Sequence, residues 1–331
     1  MLDHGGQWRP SASLHNLKIR ASILAEIRAF FLERDVLEVE TPILSRAALS
    51  DPHIESFSCH YVGPHAPHGR DYYLHTSPEF PMKRLLASGS GPIYQLCKVF
   101  RQGESGRRHN PEFTMLEWYR PGWDHTLLMQ EVAGLVQFLL RPYLELKPSE
   151  VLSYQEAFLR YAGVDPFFSS IADLKLCAEG LNISASLDEN ETARDDWLNL
   201  ILSHAIEPKL GQGQLTFLCD YPPSQAALAK VKPGTPAVAE RFELYLQGVE
   251  LANGFHELVD AKEQRQRFNA DIAMRKEMGL PQHPLDEGFL AALSSGLPSS
   301  AGVALGVDRL VMLACGADVI DDVLSFTIAN S

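Results

Sequence analysis

The sequence predicts an α+β catalytic domain, an antiparallel sheet flanked by helices, on three observations. A long amphipathic helix opens the pattern, two β-hairpins follow it far apart in the chain, and a glycine-punctuated strand running into a helix closes it. Strands joined by direct reversals pair antiparallel, and the helices before, between and after them are left to cover the sheet.

The helix is read over 14–32, where Leu17, Ile19, Ile23, Leu24, Ile27, Phe30 and Phe31 recur at helical spacing behind Ser13 as a cap. Val36, Val39 and Pro42-Ile43-Leu44 then suggest a helix end, a short strand and a proline-fixed turn, with Pro42 at a strand edge or an interface. The segment CHYVGPHAPHGR gathers Cys59, His60, His65 and His68, but the spacing fits no common zinc finger, and its prolines and glycines predict a loop. PIYQLCKVF (92–100) and EFTMLEWYR (112–120) form the first hairpin around a polar, basic loop at 101–111. With a period of two, Phe113, Met115, Glu117 and Tyr119 share one face of its second strand, and an aromatic, a carboxylate and a phenol there make a pocket wall.

Residues 124–228 read as mostly helical and predict an insertion without chemistry inside a single domain spanning 1–331. RFELYLQGVELANGFHEL predicts the second hairpin, strands at 241–246 and 249–253 joined by Gln247-Gly248, with Glu243, Glu250 and Glu257 at equal intervals. A helix over 262–278 leads to SSAGVALGVDRLVMLA, a strand followed by a helix starting near Asp308.

The 331 residues are 45% hydrophobic and 21% charged, which places the chain among ordinary globular proteins and excludes a disordered one. A net charge of −13 argues against a broad nucleic-acid footprint, because backbone binding relies on Lys and Arg. No stretch reads as a secretory leader or a membrane span. Five scattered cysteines without a CxxC pair suit reduced thiols in a cytoplasmic protein, where the sequons Asn182-Ile183-Ser184 and Asn190-Glu191-Thr192 are chance matches. HELVD lacks the second histidine of HExxH, and GVALGVDR lacks the Lys-Ser/Thr end of a P-loop.

The opening helix with VLEVETPIL, the hairpin VFRQGESGRRHNPEFTMLEWYR and the strand-helix GVALGVDRL occur in the order of the three motifs of class II aminoacyl-tRNA synthetases, which the chain resembles. LHTSPE (74–79) and ELANGFHEL (250–258) are similar to lysine-recognising segments of the lysyl branch. The catalytic pattern starts at about residue 14, leaving no room before it for that branch's N-terminal anticodon-binding barrel. A free-standing core with LEWYRPG, and with Ala304 where lysyl-tRNA synthetases generally have glycine, resembles the bacterial elongation factor P lysine ligases. An added methyl at Ala304 would reshape the amino-acid pocket.

The resemblance implies activation of (R)-β-lysine or lysine with ATP and Mg²⁺, transfer to a lysine of elongation factor P rather than to tRNA, and a homodimer built on the first motif and Pro42. It assigns Arg101 to the α-phosphate and the substrate carboxylate and Arg309 to the terminal phosphates, as the two catalytic residues. Phe113 should stack on adenine, with Gln102, Gly103, Glu104, His109, Asn110, Leu244 and Gly306 around the nucleotide. Gly103 takes the usual carboxylate position of the second motif, which leaves Glu104 as its candidate substitute. Glu243 and Glu250, seven residues apart across a tight turn, suit one Mg²⁺ as hard carboxylate ligands. Ser77, Glu79, Tyr119, Glu250, Asn253, Glu257 and Ala304 are the candidates for the amino acid. Two other readings stay open: a lysyl-tRNA ligase without its anticodon domain, and a non-catalytic regulatory subunit, the second disfavoured by retention of Arg101, Phe113, Glu243, Glu250, Gly306 and Arg309.

Overall fold

The computed structural model describes residues 8–183 and 193–331. The Asn190-Glu191-Thr192 sequon and Ser184 of the other sequon lie outside them. Two compact units are distinguished, the first from residues up to 122 with 259–299 and 304–331, the second from 123–258 with 300–303.

In the first unit the opening helix is Leu14–Leu32, with Ser13 extended at its N-cap and Ser13 Oγ accepting the Asn16 N–H at 3.1 Å. Its buried stripe is Ile23, Ile27, Phe30 and Phe31. Phe31 stacks on Tyr94 with ring centroids 4.4 Å apart and meets Trp118 edge-on at 5.4 Å. Tyr94 and Trp118 are partners in the first hairpin, Ile93–Phe100 with Glu112–Pro121. The helix therefore occupies one face of that hairpin, and the alternation turns Phe113, Met115, Glu117 and Tyr119 to the other. Leu37–Glu38 adds a short parallel edge to Ile93–Phe100.

The histidine-rich segment expected as a loop is instead an antiparallel hairpin, Ser58–Gly63 with Ala66–Leu74, in a three-stranded sheet completed by Leu44–Ser45. Cross-strand aromatic contact, Tyr61 edge-on to Tyr72 at 5.8 Å, outweighs the local proline and glycine signals. His60 pairs there with Asp71 at 2.7 Å. All five cysteines are free thiols.

The helix Val307–Cys315 is held by one buried carboxylate. Asp308, 2% exposed, binds Arg20 Nη1 at 2.5 Å and accepts the Thr114 N–H at 2.8 Å, while Arg20 Nη2 donates to Thr114 Oγ1 at 2.6 Å. A buried charge is tolerated only with such partners, so Asp308 fixes the last helix against the first helix and the first hairpin.

In the second unit the second hairpin is Val238–Leu246 with Val249–His256. Gln247 (φ 53°) and Gly248 (φ 67°) form its two-residue turn, both left-handed as the strand twist requires. The 124–228 segment is mostly helical, with His125–Leu140, Tyr154–Tyr161, Ile171–Gly180 and Arg194–Ile201, but it also supplies two strands absent from the sequence reading. Gln214–Tyr221 pairs with Val238–Leu246, and Lys147–Ser153 pairs with Gln214–Tyr221. Leu215 through Cys219 are all buried, so covered faces on both sides erase the alternation that would have announced the strand. In this unit's core Tyr154 stacks on Phe158 and meets Tyr221 at a tilt.

Candidate active site

The residues singled out by sequence assemble into distinct groups within each unit. In the first, Glu117 is the hub: Ser77 Oγ donates to its Oε2 at 2.7 Å and Tyr119 Oη to its Oε1 at 2.6 Å. Ser77 Oγ also accepts the Glu79 N–H at 3.0 Å, which seats the start of the helix Glu79–Ala87. One turn on, Lys83 Nζ lies 2.6 Å from Glu79 Oε1, an i,i+4 pair with the lysine fully buried. Burial pushes the Glu117 carboxyl up to about 7, Glu79 adds to the rise, and the Tyr119 and Ser77 hydroxyls and Lys83 oppose it. Ser77, Glu79 and Tyr119 thus lie together, around a carboxylate that the sequence had placed on the right face but given no role.

A second group belongs to the loop of the first hairpin. The Arg101 guanidinium lies 5.1 Å from the Phe113 ring centroid, and Glu104 is 3.5 Å from Arg101 Nη1. Gly103 is left-handed (φ 85°), a conformation that costs glycine little and that turns Glu104 back toward the arginine. Arg101 Nε is buried without a hydrogen-bond partner among the described residues. Gln102 is exposed, and its N–H donates to Glu55 O at 2.8 Å. Asn110 uses both ends of its amide on main chain, donating to Glu112 O at 2.6 Å and accepting the Ile328 N–H at 3.0 Å.

Arg309 Nη2 reaches His109 Nε2 at 2.7 Å. Burial first and the Arg309 charge second hold the His109 imidazole below its ordinary range, so it is the neutral acceptor of this bond. Gly306, at the N-cap of Val307–Cys315, has φ −75° and ψ 98°, which any residue adopts. Ala304 is part-buried in the strand Ser300–Gly306.

In the second unit the centre is Arg241, which the sequence reading passed over. It pairs with Glu243 through Nη2, donates from Nη1 to Gln225 O at 2.7 Å and from Nε to Asn253 Oδ1 at 3.3 Å, and lies 4.4 Å from the Tyr221 ring centroid. Glu243 Oε2 accepts from Tyr245 Oη at 2.6 Å. Burial opposes the Arg241 charge, and the Glu243 carboxylate outweighs it, holding the guanidinium above its ordinary range. Glu250 is near enough to act on both Arg241 and Tyr245. Glu243, Glu250 and Asn253 are therefore one electrostatic group. Glu257 is buried, bridging to Ala229 through the backbone, and Leu244 is fully buried between Ala252 and Phe217. The period of two from Glu243 back to Arg241 and on to Tyr245 was the signal available for these missed residues.

Residues 7–330 match the family of class II tRNA synthetases (D, K and N). Among curated proteins, the elongation factor P–(R)-β-lysine ligases of Erwinia tasmaniensis and Edwardsiella ictaluri are each 53% identical over 321 residues, covering 97% of this chain and 97% of theirs. The Salmonella typhi protein of the same name is 52% identical over the same length and coverage. The chain belongs to the class II tRNA synthetase family and, within it, to the elongation factor P–(R)-β-lysine ligases.

Proposed function

We propose that this ligase activates (R)-β-lysine with ATP and joins it to the ε-amino group of a lysine side chain on elongation factor P, the whole chain working as one catalytic domain. The observation that carries the reading is the buried group of Ser77, Glu117, Tyr119 and Glu79, two carboxylates with one buried lysine, in a chain 53% identical to ligases named for that substrate. A substrate ammonium arriving beside Glu117 and Glu79 supplies the missing positive charge and returns Glu117 to its ionised form.

Activation forms a bond from a carboxylate oxygen of the amino acid to the α-phosphorus of ATP and releases pyrophosphate. Transfer then forms the amide bond from the acceptor amine to the activated carbonyl carbon and releases AMP. In this reading Arg101 holds the α-phosphate and the substrate carboxylate, consistent with its unpartnered Nε and its planar fork of donors. Phe113 stacks on adenine, Arg309 meets the terminal phosphates, and Glu104 fills the place left by Gly103. Glu243 and Glu250 offer the oxygen donors that Mg²⁺ prefers, and the ion would offset phosphate charge when bound. Both oxygens of Glu243 already carry hydrogen bonds, so a cation would share that carboxylate with Arg241 and Tyr245. Asn253, Glu257 and Ala304 are the remaining candidates to contact the amino acid.

Leu32, Leu37, Ile43 and Leu44 are exposed large apolar residues around the first motif, which supports a homodimer through that surface. The activation half is tested by ATP–pyrophosphate exchange. Greater stimulation by (R)-β-lysine than by α-lysine is expected, and the reverse preference overturns the assigned substrate.

A further inference from the structure

On the second hairpin, Arg241 and Glu243 point to one face and Phe242 between them to the other. Glu240 and His256 stand on that other face, one position beyond the paired Arg241 and Phe255. Backbone bonds hold them side by side: the Lys230 N–H donates to His256 O at 2.8 Å, and the Glu240 N–H donates to Lys230 O at 2.9 Å. His256 Nδ1 lies 2.6 Å from Glu240 Oε2. The helix His125–Leu140 begins against this pair, with Asp124 capping it by accepting the Thr126 and Leu127 N–H groups at 3.0 and 2.9 Å. His125, its first residue, is 9% exposed, and its Nδ1 is buried without a hydrogen-bond partner among the described residues. One ligand atom from each of His125, Glu240 and His256 lies within 4.8 Å of the other two.

We infer that His125, Glu240 and His256 form a binding site for a first-row divalent transition metal, zinc being the ion whose ligand chemistry fits best. Two imidazoles and one carboxylate are a zinc donor set and a poor one for Mg²⁺ or Ca²⁺, which take oxygen. Ligand atoms about 2.0–2.2 Å from a zinc ion sit roughly 3.3 Å from one another in a tetrahedron, so His256 and Glu240 need only exchange their hydrogen bond for two metal bonds. The Glu240 and His256 side chains are 14% and 12% exposed, which leaves access for the ion and for a water as fourth ligand. Lys230 Nζ, 4.0 Å from Glu240 with its side chain half exposed, is free to swing into solvent when a cation arrives. Bound metal would tie the start of the helix His125–Leu140 to the back of the strands that carry Glu243 and Asn253.

The test is titration of the full chain with Zn²⁺ in excess Mg²⁺, which occupies oxygen-donor sites. One equivalent is expected to bind. His125→Leu and Glu240→Gln are expected to weaken binding by at least about 100-fold, the upper end of the loss when only an outer partner of a ligand is removed. Both variants should keep ATP–pyrophosphate exchange. No binding to the wild type, or unchanged affinity in either variant, overturns the site. Since His125→Leu could disturb the helix start, the wild type is also loaded with Co²⁺. A d–d spectrum of tetrahedral intensity supports the site, and a weak octahedral one contradicts it.

Discussion

Each unit carries a glutamate deep in a hairpin strand, Glu117 in one and Glu243 in the other, and the two are handled in opposite ways. Glu243 has an arginine two residues away on the same face and a tyrosine hydroxyl, so its charge is neutralised within the fold. Glu117 accepts hydrogen bonds from the Ser77 and Tyr119 hydroxyls and shares the Lys83 charge with Glu79, a like-charged neighbour, and its carboxyl rises to about 7. A buried carboxylate with its own cation is part of the scaffold, whereas one left short of positive charge is poised for a cationic ligand. The difference marks Glu117 as the carboxylate of the first unit with room for a further cation, and Arg241 as the residue that holds Glu243 in place in the second.

The largest effect expected from breaking the contrast is on stability. Arg241→Ala strands the Glu243 charge and should cost about 3–5 kcal/mol in denaturant unfolding, as removal of one partner of a buried ion pair does. Glu117→Gln should instead leave the fold intact and lower kcat/KM for the amino acid about 10- to 100-fold, the worth of one hydrogen bond to a charged group. A stability loss in Glu117→Gln as large as that in Arg241→Ala would erase the distinction.

The pH dependence follows from the same carboxyl. Below about 7 Glu117 is protonated in the free enzyme, so KM for the amino acid should rise on acidification, and the rise should vanish in Glu117→Gln. Stability should move the other way. The folded chain keeps the Glu117 proton to higher pH than the unfolded chain, so this group makes stability fall as pH climbs from the ordinary carboxylate range through about 7. Thermal unfolding across that window should show the slope in the wild type and lose it in Glu117→Gln. The smallest effect is expected from Tyr119→Phe, which removes one donor to Glu117 and should cost about 0.5–1.5 kcal/mol in kcat/KM terms while raising the pH at which KM changes.

Much of this contrast was legible in the sequence, and the rest was hidden for identifiable reasons. Both hairpins, the opening helix with its Ser13 cap and the Gln247-Gly248 turn follow from local periodicity and turn chemistry, because those signals lie within a few residues of one another. The face shared by Phe113, Glu117 and Tyr119 was readable too. Arg20 and Asp308 were not, since 288 positions separate them and only the fold makes them partners. The strand Gln214–Tyr221 was hidden by burial on both faces, and the hairpin at Ser58–Gly63 by prolines that cross-strand aromatics overrode. Arg241 was visible two residues before Glu243, but nothing local distinguishes a neutralising arginine from a solvated one. His125 lay in a stretch read as lacking chemistry, because its neighbours at Glu240 and His256 are more than a hundred residues away.

The most direct measurement is the intact mass of elongation factor P after incubation with this chain, ATP and (R)-β-lysine, run in parallel with tRNA as the acceptor. A gain of one β-lysyl residue on the protein, with no charged tRNA, is the expected result. An unmodified protein alongside charged tRNA would contradict the assignment and make the chain a tRNA ligase.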